Sequence, residues 1–493
     1  MLIDYELYDR QIRIFGIESM IKIINGTVSI IGLEKGLATE ILKNLISCGI
    51  NKINLYDDAL ITESDLLTGY YYSINDINNL RCDIIRREIL KLNYQMEITC
   101  NSYYDLLESN VIICINQSED NIIKYNDICR THNIKFISLK SSNNKGVLFV
   151  DAGNNYSYLN TTHEPVQILS CNYKNNEITF ITNGHEFQSG DTIKFIKLQG
   201  TNIDILNYEF IINVISKWNF KISLLIPEKF NFINGTVIHI NKSIIINHEA
   251  YETKNNYTHS DIEIIPVNSI MGSLTAFEAI KLISRKYKPI SQWFEWCDND
   301  LNYELAIEKL KESTFFIVGS GSIGCELLKN LAFLNVKKII ITDSDIINKS
   351  NLSTHFLFNT LHIFKYKSEI ATQIIKKIKP NINIDYYTQN VNASNINFTD
   401  NILKTNDLTA VFTALDNVDS RRFMDNECFN YDFPLFDSGT MDNKGHVQSI
   451  IPYLTETYSD LNDLSSDESY PVCTIKNFPS KIHHTIQWAL EQF

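Results

Sequence analysis

The sequence predicts an α/β protein of two homologous halves, each a mostly parallel sheet covered by helices, with a small all-β insert between them. Three observations lead there. One strand–turn–helix–strand pattern is written twice, its second copy carries a glycine-rich turn, and a run of short alternating strands separates the copies.

The repeat emerges from self-comparison of the chain. "SIIGLEKGLATEILKNLISCGINKINLYDD", from Ser29, matches "FIVGSGSIGCELLKNLAFLNVKKIIITDSD", from Phe316. Each is a β-branched apolar run, a turn with glycine, an amphipathic helix containing Lys-Asn-Leu, and a second apolar run ending in aspartate. Lys43 and Lys329, Asp57 and Asp343, Ser64 and Ser350, and Arg81 and Lys367 all stand 286 residues apart. Between the copies, from Val166 to Lys242, segments such as "EITFITNG" and "DTIKFIKLQG" alternate polar and apolar residues and break at glycine turns, which predicts the insert.

The second copy's turn reads Gly319-Ser320-Gly321-Ser322-Ile323-Gly324. Such a turn between strand and helix lets backbone approach a phosphate at the helix N-terminus, where free N–H groups and the helix dipole favour an anion. In the first copy the turn reads Gly32-Leu33-Glu34-Lys35-Gly36; the stretch from its first glycine to the repeated lysine is one residue longer, lacks a glycine and puts an acid where phosphate would lie. That half reads as a scaffold that no longer binds nucleotide.

The glycine turn alone also suits a nicotinamide-dependent oxidoreductase. The residues after it point elsewhere. Asp343 can take ribose hydroxyls, Asp345 two residues on can reach a divalent metal, Lys365 and Lys367 open the next helix, and Asp416 ends the strand "LTAVFTALD" at the sheet edge that binds ligands. Two acids and a lysine around a phosphate cradle suit ATP with Mg2+ better than a nicotinamide.

Composition narrows the field. A chain of 493 residues at 44% hydrophobic and net charge −14 is long enough for two or three cores, and without a Lys/Arg cluster it offers no footprint for nucleic acid. No apolar run reaches the length of a membrane span, and the start "MLIDYELYDRQIRIFG" lacks the basic-then-apolar pattern of a secretion signal. The ten cysteines stand singly with no CxxC pair, which predicts a reducing, intracellular setting. Cys473 is the exception in context. It follows Pro471 in "YPVCTIKNFP", close to Lys476 and ahead of a segment expected to be helical, surroundings that favour a thiolate.

"IVGSGSIGCELLKNLA", "TDSDIINKSNL", "TALDNVDSRRFMD", "DSGTMDNKGHVQSIIPYLTETYS" and "YPVCTIKNFP" together resemble the ubiquitin-activating enzymes, and "YDRQIRIFG" and "GHEFQSGDTIKFIKLQG" resemble that family's inactive half and β-rich half-domain. The resemblance implies two Rossmann-like adenylation domains, an inactive and an active half, with the all-β insert and the start of a catalytic-cysteine domain. The expected boundaries are 1–165 and 243–292 for the inactive half, 166–242 for the β-rich first catalytic-cysteine half-domain, 293–312 for a linker, 313–468 for the active half and 469–493 for a shortened cysteine segment.

Residue by residue, the resemblance places Gly319, Gly321, Ser322 and Gly324 at the nucleotide, Asp343 on the ribose, Asn351 and Lys367 at the phosphates, and Val391 with Asn392 near the adenine. Asp345 and Asp416 would lie on the metal side, Arg10 would reach the ATP from the inactive half, and Cys473 would carry a thioester. The partners implied are ubiquitin or a ubiquitin-like protein and a conjugating enzyme, with the chain a monomer built as an internal pseudo-dimer in cytoplasm and nucleus. The sequence departs from the family at Thr354, where a phosphate-binding arginine is expected, and Lys349, Lys365 or Arg421 are the candidates to replace it. It also stops at Phe493, short of the family's remaining cysteine half-domain and its C-terminal ubiquitin-fold domain. A modifier-binding scaffold without activation is the alternative that these departures favour.

Overall fold

A computed structural model describes residues 3–461, apart from 93–94, 102–105, 160–165, 175–176, 183–184, 186, 188, 200–207, 225–233, 240–242, 253–262, 298–302, 406 and 442–443. Cys473 and its motif lie outside the described residues.

The first half is a seven-stranded sheet in the order Trp293–Cys297, Lys145–Asp151, Lys135–Ser142, Val111–Ile115, Thr27–Ile31, Lys52–Tyr56, Glu97–Cys100. Its five strands from Lys135–Ser142 to Glu97–Cys100 run parallel, and the other two are added antiparallel. Strands Thr27–Ile31 and Val111–Ile115 are buried at every position, because helices cover both faces of a parallel sheet. The second half repeats the plan in six strands, Ile384–Tyr387, Lys338–Thr342, Thr314–Val318, Ala410–Thr413, Leu435–Met441 and Lys444–Ile450, with only the last pair antiparallel. Trp293–Cys297, at the head of the expected linker 293–312, is therefore an edge strand of the first sheet, and Tyr303–Lys311 is a helix.

The chain divides into two compact units: the described residues within Met1–Gly153, His248–Ser284 and Ile290–Phe493, and those within Asn154–Asn247 and Arg285–Pro289. The smaller unit holds a closed six-stranded barrel whose alternating strands turn Ile168, Phe180, Phe195 and Phe220 inward to one core. Beside the barrel in the same unit, Ser243–Ile246 pairs with Tyr156–Leu159. No helix among the described residues is long and apolar enough to cross a membrane.

In the larger unit the two halves meet through the repeated helices Lys35–Ser47 and Ser322–Phe333. Glu40 and Glu326 stand 286 residues apart, as do Lys43 and Lys329, and the four side chains interlock. Lys43 Nζ lies 2.6 Å from Glu40 and 2.5 Å from Glu326, while Lys329 Nζ pairs with Glu40 and lies 3.0 Å from Glu326. Burial raises the cost of the Glu40 charge, yet the two lysines hold its carboxyl below the usual range. Tyr70 and Phe356, again 286 apart, meet edge-to-face at 5.2 Å, and Lys43 Nζ sits 4.6 Å over the Phe356 ring. Gly272 lets the long buried helix Ile265–Ser284 press on this centre, since a Cβ there would lie 2.6 Å from that of Glu40.

Removing one member of such a cluster strands a buried charge. Lys329→Met is expected to cost about 3 to 5 kcal/mol in urea unfolding, and Glu40→Gln added to it to recover part of that loss. Additive losses would show that the pair does not interact.

Candidate functional site

The three glycines of the second-half turn do three different jobs. Gly319 follows the buried strand Thr314–Val318 at φ +104, where a Cβ would fall 2.5 Å from the Ala414 carbonyl oxygen. Gly324 closes the turn, because its Cβ would lie 2.0 Å from the Gly319 oxygen. At Gly321 a Cβ would meet only His355 Nε2, at 3.8 Å. Folding demands the first two, whereas the third keeps open space over the helix N-terminus. Gly321 is the N-cap of helix Ser322–Phe333, and among the described residues no side chain accepts from the first amides of that helix. The fully buried Ser320 hydroxyl beside it has no hydrogen-bond partner among the described residues. These features fit a phosphate.

Charged groups converge on the turn. Asp343 Oδ2 accepts from the Ser320 amide at 2.6 Å and its Oδ1 from the Asp345 amide at 2.8 Å. Burial raises the Asp343 carboxyl above its ordinary value, against the pull of Lys367 and these two amides. Lys367 is buried and its Nζ lies 2.9 Å from Asp345 Oδ2, so the acid expected on the metal side, 66% exposed at its side chain, is already paired. Asn351 is buried, and its Oδ1 accepts from the Asn348 amide at 2.9 Å.

Arg10 arrives from the other half. Gln11, next to it on helix Asp9–Phe15, donates from Nε2 to the Ser353 carbonyl at 2.7 Å, and Ser353 Oγ donates to the Leu7 carbonyl at 2.7 Å. Lys349 reinforces this dock through Asp4 at 2.9 Å and Glu6 at 3.2 Å. Burial lowers the Arg10 guanidinium from its ordinary value, and the charge of the exposed Asp416 carboxylate in the other half opposes that shift. Arg421 pins the loop before Asp416 by donating to the Leu415 carbonyl, while pairing with the buried Asp437.

Other expected members take part in local structure. Val391 is packed in a core cluster with Ile340 and Leu403, and Asn392 caps the short turn Ala393–Asn395, accepting from the Asn395 amide at 3.1 Å. Of the three groups expected to replace the arginine missing at Thr354, Lys349 and Arg421 are engaged in ion pairs elsewhere and Lys365 is exposed. The residue that does reach the turn is His355. It is buried and stacked on Phe358; Asn351 O lies 3.2 Å and Thr354 Oγ1 2.8 Å from its Nδ1. Burial, then Lys367 and Arg10, push its pKa down to about 3. Nothing in the local pattern "NLSTHF" distinguishes this histidine from a core residue.

The first half answers the same positions with its own anions. Asp65, which stands 286 residues before Asn351, accepts from the Lys35 amide at 2.9 Å, and Glu263 and Thr68 take the Gly36 amide at 3.0 and 2.9 Å. Arg81, in the place of Lys367, pairs with Asp65 at 3.1 Å and Asp57 at 3.4 Å. Carboxylates of the chain thus fill the start of helix Lys35–Ser47, while the start of Ser322–Phe333 is left uncapped.

The ThiF family matches this chain twice, over residues 8–298 and 297–487. The chain belongs to the ThiF family. It is 29% identical to "Ubiquitin-activating enzyme E1 1" of Candida albicans over all of this chain and 59% of that protein. It is 28% identical to "Ubiquitin-like modifier-activating enzyme 1" and 28% to "Ubiquitin-like modifier-activating enzyme 6" of Homo sapiens, over all of this chain and 57% and 58% of theirs. The chain thus spans less than two thirds of the length of these curated relatives. The crystal structure of E. coli MccB with succinimide aligns over 58% of this chain and 65% of that one, at 16% identity and a TM-score of 0.33.

Two outcomes are expected. Gly321→Ala should leave thermal stability unchanged, while Gly324→Ala, forced against backbone, should cost about 1 to 3 kcal/mol; equal losses would mean that the space over Gly321 is closed. His355 is held neutral in the folded chain but protonates near pH 6.5 when unfolded, so stability should fall as pH drops from 6.5 toward 3, by up to about 1.4 kcal/mol per pH unit. His355→Gln should flatten that slope in unfolding measured between pH 7 and 5.5.

Proposed function

We propose that the chain activates ubiquitin or a ubiquitin-like modifier with ATP, using the second half as the adenylating site. The observation that carries this reading is the asymmetry at the two repeated helix N-termini: one is filled by Asp65 and Glu263, while the other has no side-chain acceptor among the described residues and lies beside His355, on which the charges of Lys367 and Arg10 act. Family membership and the printed names of the relatives support the same reading.

In this reading the amides after Gly321 and the Ser322 turn cradle the phosphates, and Asp343 accepts the ribose hydroxyls. Arg10, Lys367 and Asn351 face the phosphate charge, and the Val391–Asn392 segment borders the adenine. A carboxylate oxygen of the modifier's C-terminal glycine attacks the α-phosphorus, the bond to the bridging oxygen breaks, and pyrophosphate leaves with its electron pair. The fixed cations stabilise the charge that develops there. Asp416 and Asp345 would hold Mg2+ with phosphate oxygens and water completing its shell, and the ion when bound screens the polyphosphate. Asp345 would exchange its pairing with Lys367 to do so, freeing that ammonium for phosphate. The Cys473 thiolate then attacks the carbonyl carbon of the acyl-adenylate, AMP leaves, and the thioester that forms is passed to a conjugating enzyme.

His355 beside Thr354 favours the second reading, a scaffold that binds a modifier without activating it, because a neutral imidazole supplies less charge to phosphate than a guanidinium fork. Exchange of labelled pyrophosphate into ATP, dependent on added ubiquitin, separates the two. Exchange is expected in the wild-type chain, and a fall of about 100-fold or more in Asp416→Ala. Cys473→Ala should keep exchange and lose a thiol-labile modifier adduct. Modifier binding without exchange would leave only the scaffold.

A further inference from the structure

A cavity of about 560 Å³ opens in the first half, away from the second-half glycine turn. It lies at the carboxyl ends of strands Thr27–Ile31 and Val111–Ile115, where the order of the sheet reverses, which is the place where open α/β sheets take ligands. Its mouth keeps the ligand-side half of a nucleotide site. Gly32, at φ +88, packs so close that a Cβ would lie 2.6 Å from the Ile115 carbonyl oxygen. Asp57 ends the second strand, as Asp343 does, and Asp57 Oδ2 accepts from the Leu33 amide at 2.7 Å just as Asp343 accepts from Ser320. Asp57 is thus presented like a carboxylate that receives vicinal hydroxyls.

The phosphate half of that site is closed. Asp65 and Glu263 occupy the Lys35 and Gly36 amides, and the Glu34 side chain, which accepts from Asn116 Nδ2 at 3.2 Å, adds a further carboxylate to the wall. An anionic ligand would meet the carboxylates of Glu34, Asp57 and Asp58 in this lining against one arginine, Arg81, that is already paired. Tyr56, Tyr125, Leu106, Ile31 and Ile115 form apolar parts of the wall, with the amides of Asn101 and Gln117 beside them, which suits a flat heteroaromatic ring with polar atoms on its rim.

We propose that the first half binds an unphosphorylated nucleoside, with its sugar hydroxyls on Asp57 and its base between the tyrosines. Adenosine titrated into the full chain by calorimetry tests this, read both in Asp343→Ala and in the wild-type chain preloaded with ATP, so that the second half does not contribute. Saturable binding to one site is expected in both, with AMP at least about ten-fold weaker than adenosine. Asp57→Ala should weaken adenosine about ten-fold or more, and Gln117→Trp, which fills the cavity and leaves the Asp57 hydrogen bonds intact, should do the same. Absence of saturable binding at millimolar adenosine overturns the proposal, as does binding that both variants leave unchanged. AMP binding as tightly as adenosine would overturn the exclusion of phosphate.

Discussion

The larger unit hangs on four buried charges. Glu40, Lys43, Glu326 and Lys329 come from one motif written twice, and each lysine answers the glutamate of its own helix and that of the other. Desolvation offsets most of the Coulomb gain of such a cluster, so its net contribution to stability is small. Its contribution to orientation is large, because sliding either helix would bury a charge without a partner. The Tyr70–Phe356 contact repeats the same relation in aromatic form. With the two helices held in this register, helix Asp9–Phe15 reaches across to the Ser353 turn and Arg10 comes within the field of the Asp416 carboxylate.

From that shared centre the two halves diverge at the helix N-termini. Both keep a positive-φ glycine after the first strand and an aspartate after the second that accepts the turn's amide. The difference is what stands at the helix N-terminus. Asparagine at 351 turns to its own loop and leaves the amides of the second half uncapped; aspartate at 65 takes them in the first. Asp65 together with Glu263 and Thr68 makes the first-half helix start a self-satisfied structural joint. The joint fills only the loop side, and the sheet edge keeps its opening.

Much of this was legible beforehand. The 286-residue offset paired the residues that build the interface, and period-2 alternation marked the barrel strands around Phe180 and Phe195. The glycine turn, Asp343 and Lys367 were legible because backbone geometry and charge leave a local signature. Trp293–Cys297 was not, since a strand at a sheet edge, antiparallel to a distant partner, has no local mark that separates it from a connection. Neither was His355, whose burial and proximity to Gly321 depend on how a 3-10 turn folds over a helix start. Lys349 and Arg421 looked available as cations; ion pairs with Asp4, Glu6 and Asp437, distant in sequence, had already engaged them.

By itself, the sequence determined the fold class and the duplication, because apolar periodicity, glycine spacing and repeated motifs are written in neighbouring residues. Tertiary structure decided which charges are spoken for. Whether a helix start is open to an anion depends on side chains 30 and 227 residues away, Asp65 for Lys35 and Glu263 for Gly36, and pairing at such distances is set by packing rather than by any local pattern.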